Sequence, residues 1–309
     1  MTSAAVQVTI VAGIVIALLR MGGLWSPAVR QALAGIAAVK FLLPATFLGG
    51  ALFAWAATSD ASESLMALSW PVAVGIHVAG SAIVLGCLMA DSVRGRRLLR
   101  ASAAVAEGSL HERCAIAARR VGLRRMPRIW ISAQATGPLA FGLFRRHIVL
   151  PIALAEGRAD DLDVVIAHEM AHHARGDLWM LALHRAVVTL WWWHPLAWRL
   201  GSELREIIED GCDDRVVASG VASRDRYCDV LVACARTCAA SGPTALGFAD
   251  RRHPIARRIA RLGEEHAARA SWLAMAAAVF LAAMLLPGIP EPPHTDIRVV
   301  VQRITRVNR

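Results

Sequence analysis

Apolar residues gather in long runs without charge. No Asp, Glu, Lys or Arg falls within residues 1–19, 41–59, 64–90 or 270–290. A helix needs roughly 17–25 apolar residues to cross a hydrocarbon core. The pattern therefore predicts four transmembrane helices, at about 3–20, 36–57, 68–90 and 271–288. Lys40, inside the second, can snorkel its ammonium to an interface. The first run has no Lys or Arg before Arg20, so it reads as a span rather than a signal peptide.

Between the third and fourth runs the pattern changes to one that can fold in water. A helical stretch is expected at about 101–121. Strand-like passages follow at 128–132, 140–144 and 147–150, with Arg145-Arg146 turning the last two into a hairpin and Pro151 ending it. From Asp161 onward the periodicity is helical, and 178–200 reads as one strongly apolar helix containing Trp191-Trp192-Trp193. The expected fold is mainly α: a polytopic membrane protein whose soluble domain contains a small β-sheet. Its parts are three spans in 1–90, a domain over 91–270, a fourth span at 271–288 and a short tail at 289–309.

Composition sharpens this. The 309 residues are 56% hydrophobic and only 19% charged, yet the net charge is +10. Positive charge follows spans one (Arg20, Arg30) and three (Arg94, Arg96, Arg97, Arg100), whereas the loop after span two has Asp60 and Glu63. The positive-inside rule then places the N-terminus and the tail outside a bacterial-type cytoplasmic membrane, and 91–270 in the cytoplasm. That region holds 27 positive and 20 negative residues, a net of +7. The excess is a topology signal, and no direct nucleic-acid contact is expected. The six cysteines form no CxxC pair; Cys234 and Cys238, one turn apart, read as small buried residues rather than a metal pair.

His168-Glu169-Met170-Ala171-His172 is an HExxH. On a helix, residues i and i+4 share a face, so two imidazoles converge on one metal. The Glu beside the first His is placed to act as a general base on water. The alternative is a helix whose histidines only make hydrogen bonds or face solvent. Asp160, Asp161 and Asp163 suit the helix start, and Leu162, Val165 and Ile166 supply an apolar face. A third ligand is expected from the acidic run Glu203, Glu206, Glu209, Asp210, Asp213 and Asp214. Within it Glu209 and Asp213 share a face, one offering a carboxylate to a metal and the other orienting a ligand. A solvated acidic face is the alternative.

Several motifs together are more specific. His168-Glu-Met-Ala-His172 with Arg175-Gly-Asp177, Trp193-His194-Pro195, Glu209-Asp-Gly-Cys212-Asp213 and the strand pair from Pro138 to Pro151 resemble the BlaR/MecR-type integral-membrane zinc metallopeptidases, a gluzincin-like antirepressor family. The resemblance covers about 1–290 and is sharpest over 128–215. It implies Zn2+ held by His168, His172 and Glu209, with Glu169 as catalytic base. Asp213 would orient a ligand, and Asp177 would brace a ligand or the helix end. It also implies cleavage of a protein substrate, such as a winged-helix repressor, and of the protein itself. Family prototypes place an extracellular penicillin-binding sensor after the fourth span; only the short tail 289–309 follows it here, so β-lactam reception is not expected. The competing readings are a non-catalytic membrane scaffold with a structural zinc site, and a transporter-like bundle with a chance HExxH.

Other residues are expected outside the chemistry. Tyr227, the one tyrosine, reads as a packing residue. His173 lies about 100° around the helix from His172 and is not expected to be a ligand. His77 reads as a satisfied polar residue within a span, and His111, His147, His253, His266 and His294 as surface residues. The tryptophan triplet reads as an interfacial belt or as core packing. The Arg-rich stretches 119–128 and 251–261 read as contacting anionic lipid headgroups or a substrate, or as plain solvated helix faces.

Overall fold

The computed structural model describes residues 4–20, 25–42, 63–156, 159–240 and 254–263. Three helices come first: α1 (Ala4–Arg20), α2 (Pro27–Leu42) and α3 (Glu63–Arg100). Among the described residues, Val74–Arg100 is the one helix long and apolar enough to cross a membrane, and its apolar window is unburied within the chain. By contrast α1 has only 17 residues, and one of its faces is covered by protein: Val15 and Leu19 are fully buried. The second expected span is described only to Leu42. Its remainder, the span at 271–288 and the tail lie outside the described residues, as do His253, His266 and His294.

The sheet has four short strands, β1 (Ala103–Val105), β2 (Arg128–Ser132), β3 (Leu139–Phe141) and β4 (His147–Pro151), in the order β1-β2-β4-β3. Strand β2 runs parallel to β4, while the two edges pair antiparallel. Two expectations are corrected here. Ala103–Val105, expected to be helical, forms an edge strand, and helix α4 begins only at Ser109 and runs to Arg120. The hairpin loop is five residues, 142–146, rather than the Arg pair. Gly142 turns the chain at φ +92°, where a Cβ would sit 2.0 Å from the Arg145 carbonyl oxygen. That turn ends β3 early, and only glycine fits it.

Helices complete the chain: α5 (Ile152–Ala155), α6 (Ala159–Arg175), α7 (Asp177–Leu190), α8 (Pro195–Ala218), α9 (Arg224–Ala240) and α10 (Pro254–Gly263). The helix expected over 178–200 is in fact two. The chain leaves α7 at Trp191, and Pro195 starts α8 at its first turn, where a missing N–H costs nothing. The break aims the three tryptophans differently. Trp191 is buried and donates to the Phe41 carbonyl at 2.8 Å; Trp192 donates to the His77 carbonyl of α3; Trp193 is half exposed. The triplet is thus not a uniform belt.

Two apolar clusters result. Helices α1, α2, α7 and the first half of α8 build one, from Val15, Leu19, Leu33, Phe41, Val187, Leu200, Leu204 and Ile207. The other joins α4, β2, β4, α6 and α9 with Val216 of α8, through Cys114, Ile148, Leu150, Ile166 and Met170. Helix α8 therefore belongs to both, and its polar stretch from Glu209 to Asp213 falls at the junction.

Candidate metal centre

Helix α6 buries Ile166 and Met170 in the second cluster and turns His168 and His172 toward α8. His168 Nε2 lies 3.4 Å from Glu209 Oε2, and His172 Nε2 lies 3.9 Å from Glu209 Oε1. The two imidazoles meet edge-on, with centroids 5.0 Å apart. Donors about 2.0–2.2 Å from a tetrahedral ion stand roughly 3.3–3.6 Å from one another, so both Glu209 contacts are near ligand spacing. Glu169, the next residue on α6, is buried at 6% exposure.

The far nitrogens fix the tautomers. Tyr227 Oη lies 2.7 Å from Asp213 Oδ1 and 2.9 Å from His168 Nδ1. Burial, reinforced by Asp213, holds the phenol well above its ordinary pKa, so it keeps its proton. That single proton goes to Asp213. The phenol oxygen must then accept from His168 Nδ1–H, which leaves Nε2 bare and facing Glu209. His172 Nδ1 lies 3.2 Å from the fully buried Asp177, leaving its Nε2 to the same point. A ring nitrogen backed by a carboxylate or its relay is how metal-binding histidines are normally held. The donor set thus fits a zinc-like ion.

Electrostatics agree. Burial works against a charged His172, but the Asp177 carboxylate on its Nδ1 and the nearby Glu209 overcome it and raise its proton affinity well above the ordinary value. Burial would raise the Glu209 pKa, yet in the ion-free protein a hydrogen bond from His168 Nε2, whose proton a bound ion would displace, and the Arg258 charge hold it well below the carboxylate range. Glu209 is therefore an anion between two imidazoles. Cys212 donates to Asp177 at 3.1 Å and lies 3.2 Å from His172 Nδ1. Burial pushes its thiol up to about 12, so Cys212 serves as a hydrogen-bond donor.

The acidic run is largely neutralised from α10, which corrects the reading of the stretch 251–261 for Arg257, Arg258 and Arg261; Arg251 and Arg252 lie outside the described residues. Arg258 reaches Asp213 with two nitrogens (2.5 and 2.9 Å) and Glu209 at 2.9 Å. Arg257 and Arg261 hold the fully buried Asp210, joined by Arg30 of α2 at 2.9 Å. Arg261 also takes Asp214, and Arg257 takes Glu206. Glu203 pairs with Arg20 and Arg199. Buried carboxylates require such partners, and among the six acids only Glu209 meets the histidine pair.

Tyr227 is the clearest correction, because it packs in the core and also touches a histidine of the HExxH. Its sequence signal was slight: a lone tyrosine on the helix after the acidic run. Arg258 had a stronger one, since Arg257, Arg258 and Arg261 recur at helical spacing. His147 is half-buried rather than a free surface residue. It stacks on Phe141 with centroids 5.5 Å apart and accepts from Trp130 Nε1 at 3.0 Å. His173 points to the sheet and donates from Nε2 to the His147 carbonyl at 3.2 Å.

A helix-borne His-Glu-x-x-His whose imidazoles face a glutamate of a later helix defines a candidate metallopeptidase centre. The family comparison makes this particular: the family model described as BlaR1 peptidase M56 matches residues 53–262, and the chain belongs to that peptidase family. Among curated relatives, the Regulatory protein BlaR1 of Bacillus licheniformis is 31% identical over 80 residues. That stretch is 26% of this chain and 13% of the relative, so it spans about an eighth of that protein's length.

Proposed function

We propose that the protein is a membrane-embedded zinc endopeptidase that cleaves a cytoplasmic regulatory protein, a winged-helix repressor being the substrate class the family suggests, and also cleaves itself. The observation that carries this reading is the convergence of His168 Nε2, His172 Nε2 and Glu209 beside a buried Glu169. These three side chains would hold the ion. When bound, zinc supplies Lewis-acid polarisation and makes water acidic enough to react near neutral pH. Glu169 takes the proton from the attacking water and returns it to the leaving amine. Asp177 and the Tyr227–Asp213 pair keep the imidazoles turned. The free edge of β3 offers backbone groups to an extended substrate segment.

The membrane reading rests on the exposed apolar helix Val74–Arg100 and on the charge-free runs. In it, four spans at about 3–20, 36–57, 68–90 and 271–288 hold residues 91–270 on the cytoplasmic side.

The test uses the full chain in detergent. Bound zinc and proteolysis of a candidate repressor are measured for wild type and Glu169→Ala. Metal retained with cleavage lost supports the enzyme. Equal cleavage by both variants removes Glu169 as the base, and stoichiometric zinc without cleavage in wild type favours the structural-metal scaffold.

A further inference from the structure

We infer that Gln31 of helix α2 is a positioning residue of the metal centre, fixing His172 through Asp177 and so tying ligand geometry to the place of α2. This deepens the metal-centre reading and rests on it.

Asp177 is fully buried, and both its oxygens are used. Oδ2 faces His172 Nδ1 at 3.2 Å and Cys212 Sγ at 3.1 Å. Oδ1 accepts from Gln31 Nε2 at 3.2 Å, with Arg175 Nε further off at 3.4 Å. The other end of the Gln31 amide accepts from Arg175 Nη2 at 2.5 Å. Only one orientation of the amide satisfies these partners, because a flip would set its oxygen against a carboxylate and its NH2 against a guanidinium. Arg175 is itself confined. Its guanidinium lies over Gly211, where a Cβ would come within 2.2 Å of Cζ. A continuous polar chain thus runs from α2 through Arg175 and Asp177 to His172.

The place of this chain in the fold gives it consequence. Apart from its polar N-terminal turns, α2 belongs to the apolar cluster shared with α1, α7 and α8, while α6 packs in the other cluster. Gln31 bridges the two. Its neighbour Arg30 makes a second bridge, to Asp210, the acid that also receives Arg257 and Arg261. Losing the Gln31 donor leaves Asp177 Oδ1 with Arg175 alone. The carboxylate then turns toward that guanidinium and relaxes its hold on His172 Nδ1. Partners of this kind typically change metal affinity 10–100-fold.

Co2+ is the probe, titrated into the metal-free full-length protein in detergent against a competing chelator, with the visible absorption of the bound ion recorded. Gln31→Met removes donor and acceptor at nearly constant shape; Gln31→Glu keeps the Arg175 contact but replaces the donor with a carboxylate oxygen facing Asp177. Both are expected to weaken Co2+ binding about tenfold or more and to alter the absorption band. Leu33→Ala, in the apolar cluster on the same helix, is expected to lower the melting temperature and leave Co2+ affinity and the band unchanged. If Gln31→Met does not fold, Gln31→Glu decides. Affinity within twofold of wild type in the folded Gln31 variants would overturn the inference while the metal centre stands. Wild type that binds no Co2+ would overturn the metal centre itself, and this inference with it.

Discussion

The phenol oxygen of Tyr227 lies 2.9 Å from Nδ1 of His168, on the side of the imidazole away from Glu209. Because the hydroxyl proton is committed to Asp213 at 2.7 Å, this contact decides which ring nitrogen stays bare. Tyr227→Phe keeps the ring and its packing but deletes the acceptor. His168 Nδ1–H then faces Asp213, which stands 3.7 Å away. Zinc affinity is expected to fall 10–100-fold, read by chelator competition, with the melting temperature of the metal-free protein changing little. Unchanged affinity would show that Asp213 alone suffices.

Arg258 touches Asp213, Glu209 and Tyr227 from one helix. Removing one member of a buried ion pair strands the other, at about 3–5 kcal/mol. Arg258→Met is therefore expected to destabilise the metal-free fold by about that amount, seen as a lower urea midpoint. Arg258→Lys restores charge but not the two-pronged reach, so it should recover only part. Excess zinc should partly offset the loss in both variants, since the ion also neutralises Glu209.

The chemistry that has a local signature could be read from the chain. His168 and His172 are four apart on a helix, and Glu209 sits in a dense acidic run. What could not be read depends on partners far away in sequence. Tyr227 meets His168 across 59 positions, and Gln31 meets Asp177 across 146. Neither residue has a periodicity or spacing that marks it. The pairing within the acidic run was hidden for the same reason: Arg20, Arg30 and the α10 arginines lie far off in sequence, so nothing local marks Glu203, Glu206, Asp210 and Asp214 as ion pairs and Glu209 and Asp213 as the carboxylates near the histidines. Nor does a charge-free run tell which face of α1 packs against α2 and α8, as Val15 and Leu19 do, and which stays exposed, as Ile10 and Ile14 do.

His173 supplies a pH dependence. Burial is the main cause holding its pKa down to about 4, against 6.5 for a free imidazole. The folded state thus binds a proton less readily than the unfolded chain. Above pH 6.5 both states are neutral and the group costs nothing. As pH falls from 6.5 toward 4 the unfolded state gains protons first, and stability drops, by about 3 kcal/mol once below both values. His173→Gln, which keeps a donor for the His147 carbonyl, should flatten the stability profile between pH 6.5 and 4 in chemical denaturation of the metal-free protein. A slope equal to that of wild type would remove His173 as its source.

Topology is tested through Cys228, which is partly exposed on α9, whereas Cys114 is fully buried and Cys87 lies on α3. With the other five cysteines replaced by serine or alanine, Cys228 is the single thiol. Burial and the nearby Asp225 raise its pKa, so labelling needs a mildly alkaline buffer. If residues 91–270 are cytoplasmic, a membrane-impermeant maleimide should leave intact cells unlabelled and modify the protein after permeabilisation. Labelling of intact cells would invert the arrangement drawn from Arg94, Arg96, Arg97 and Arg100, and would place the candidate centre on the outer face, away from any cytoplasmic repressor.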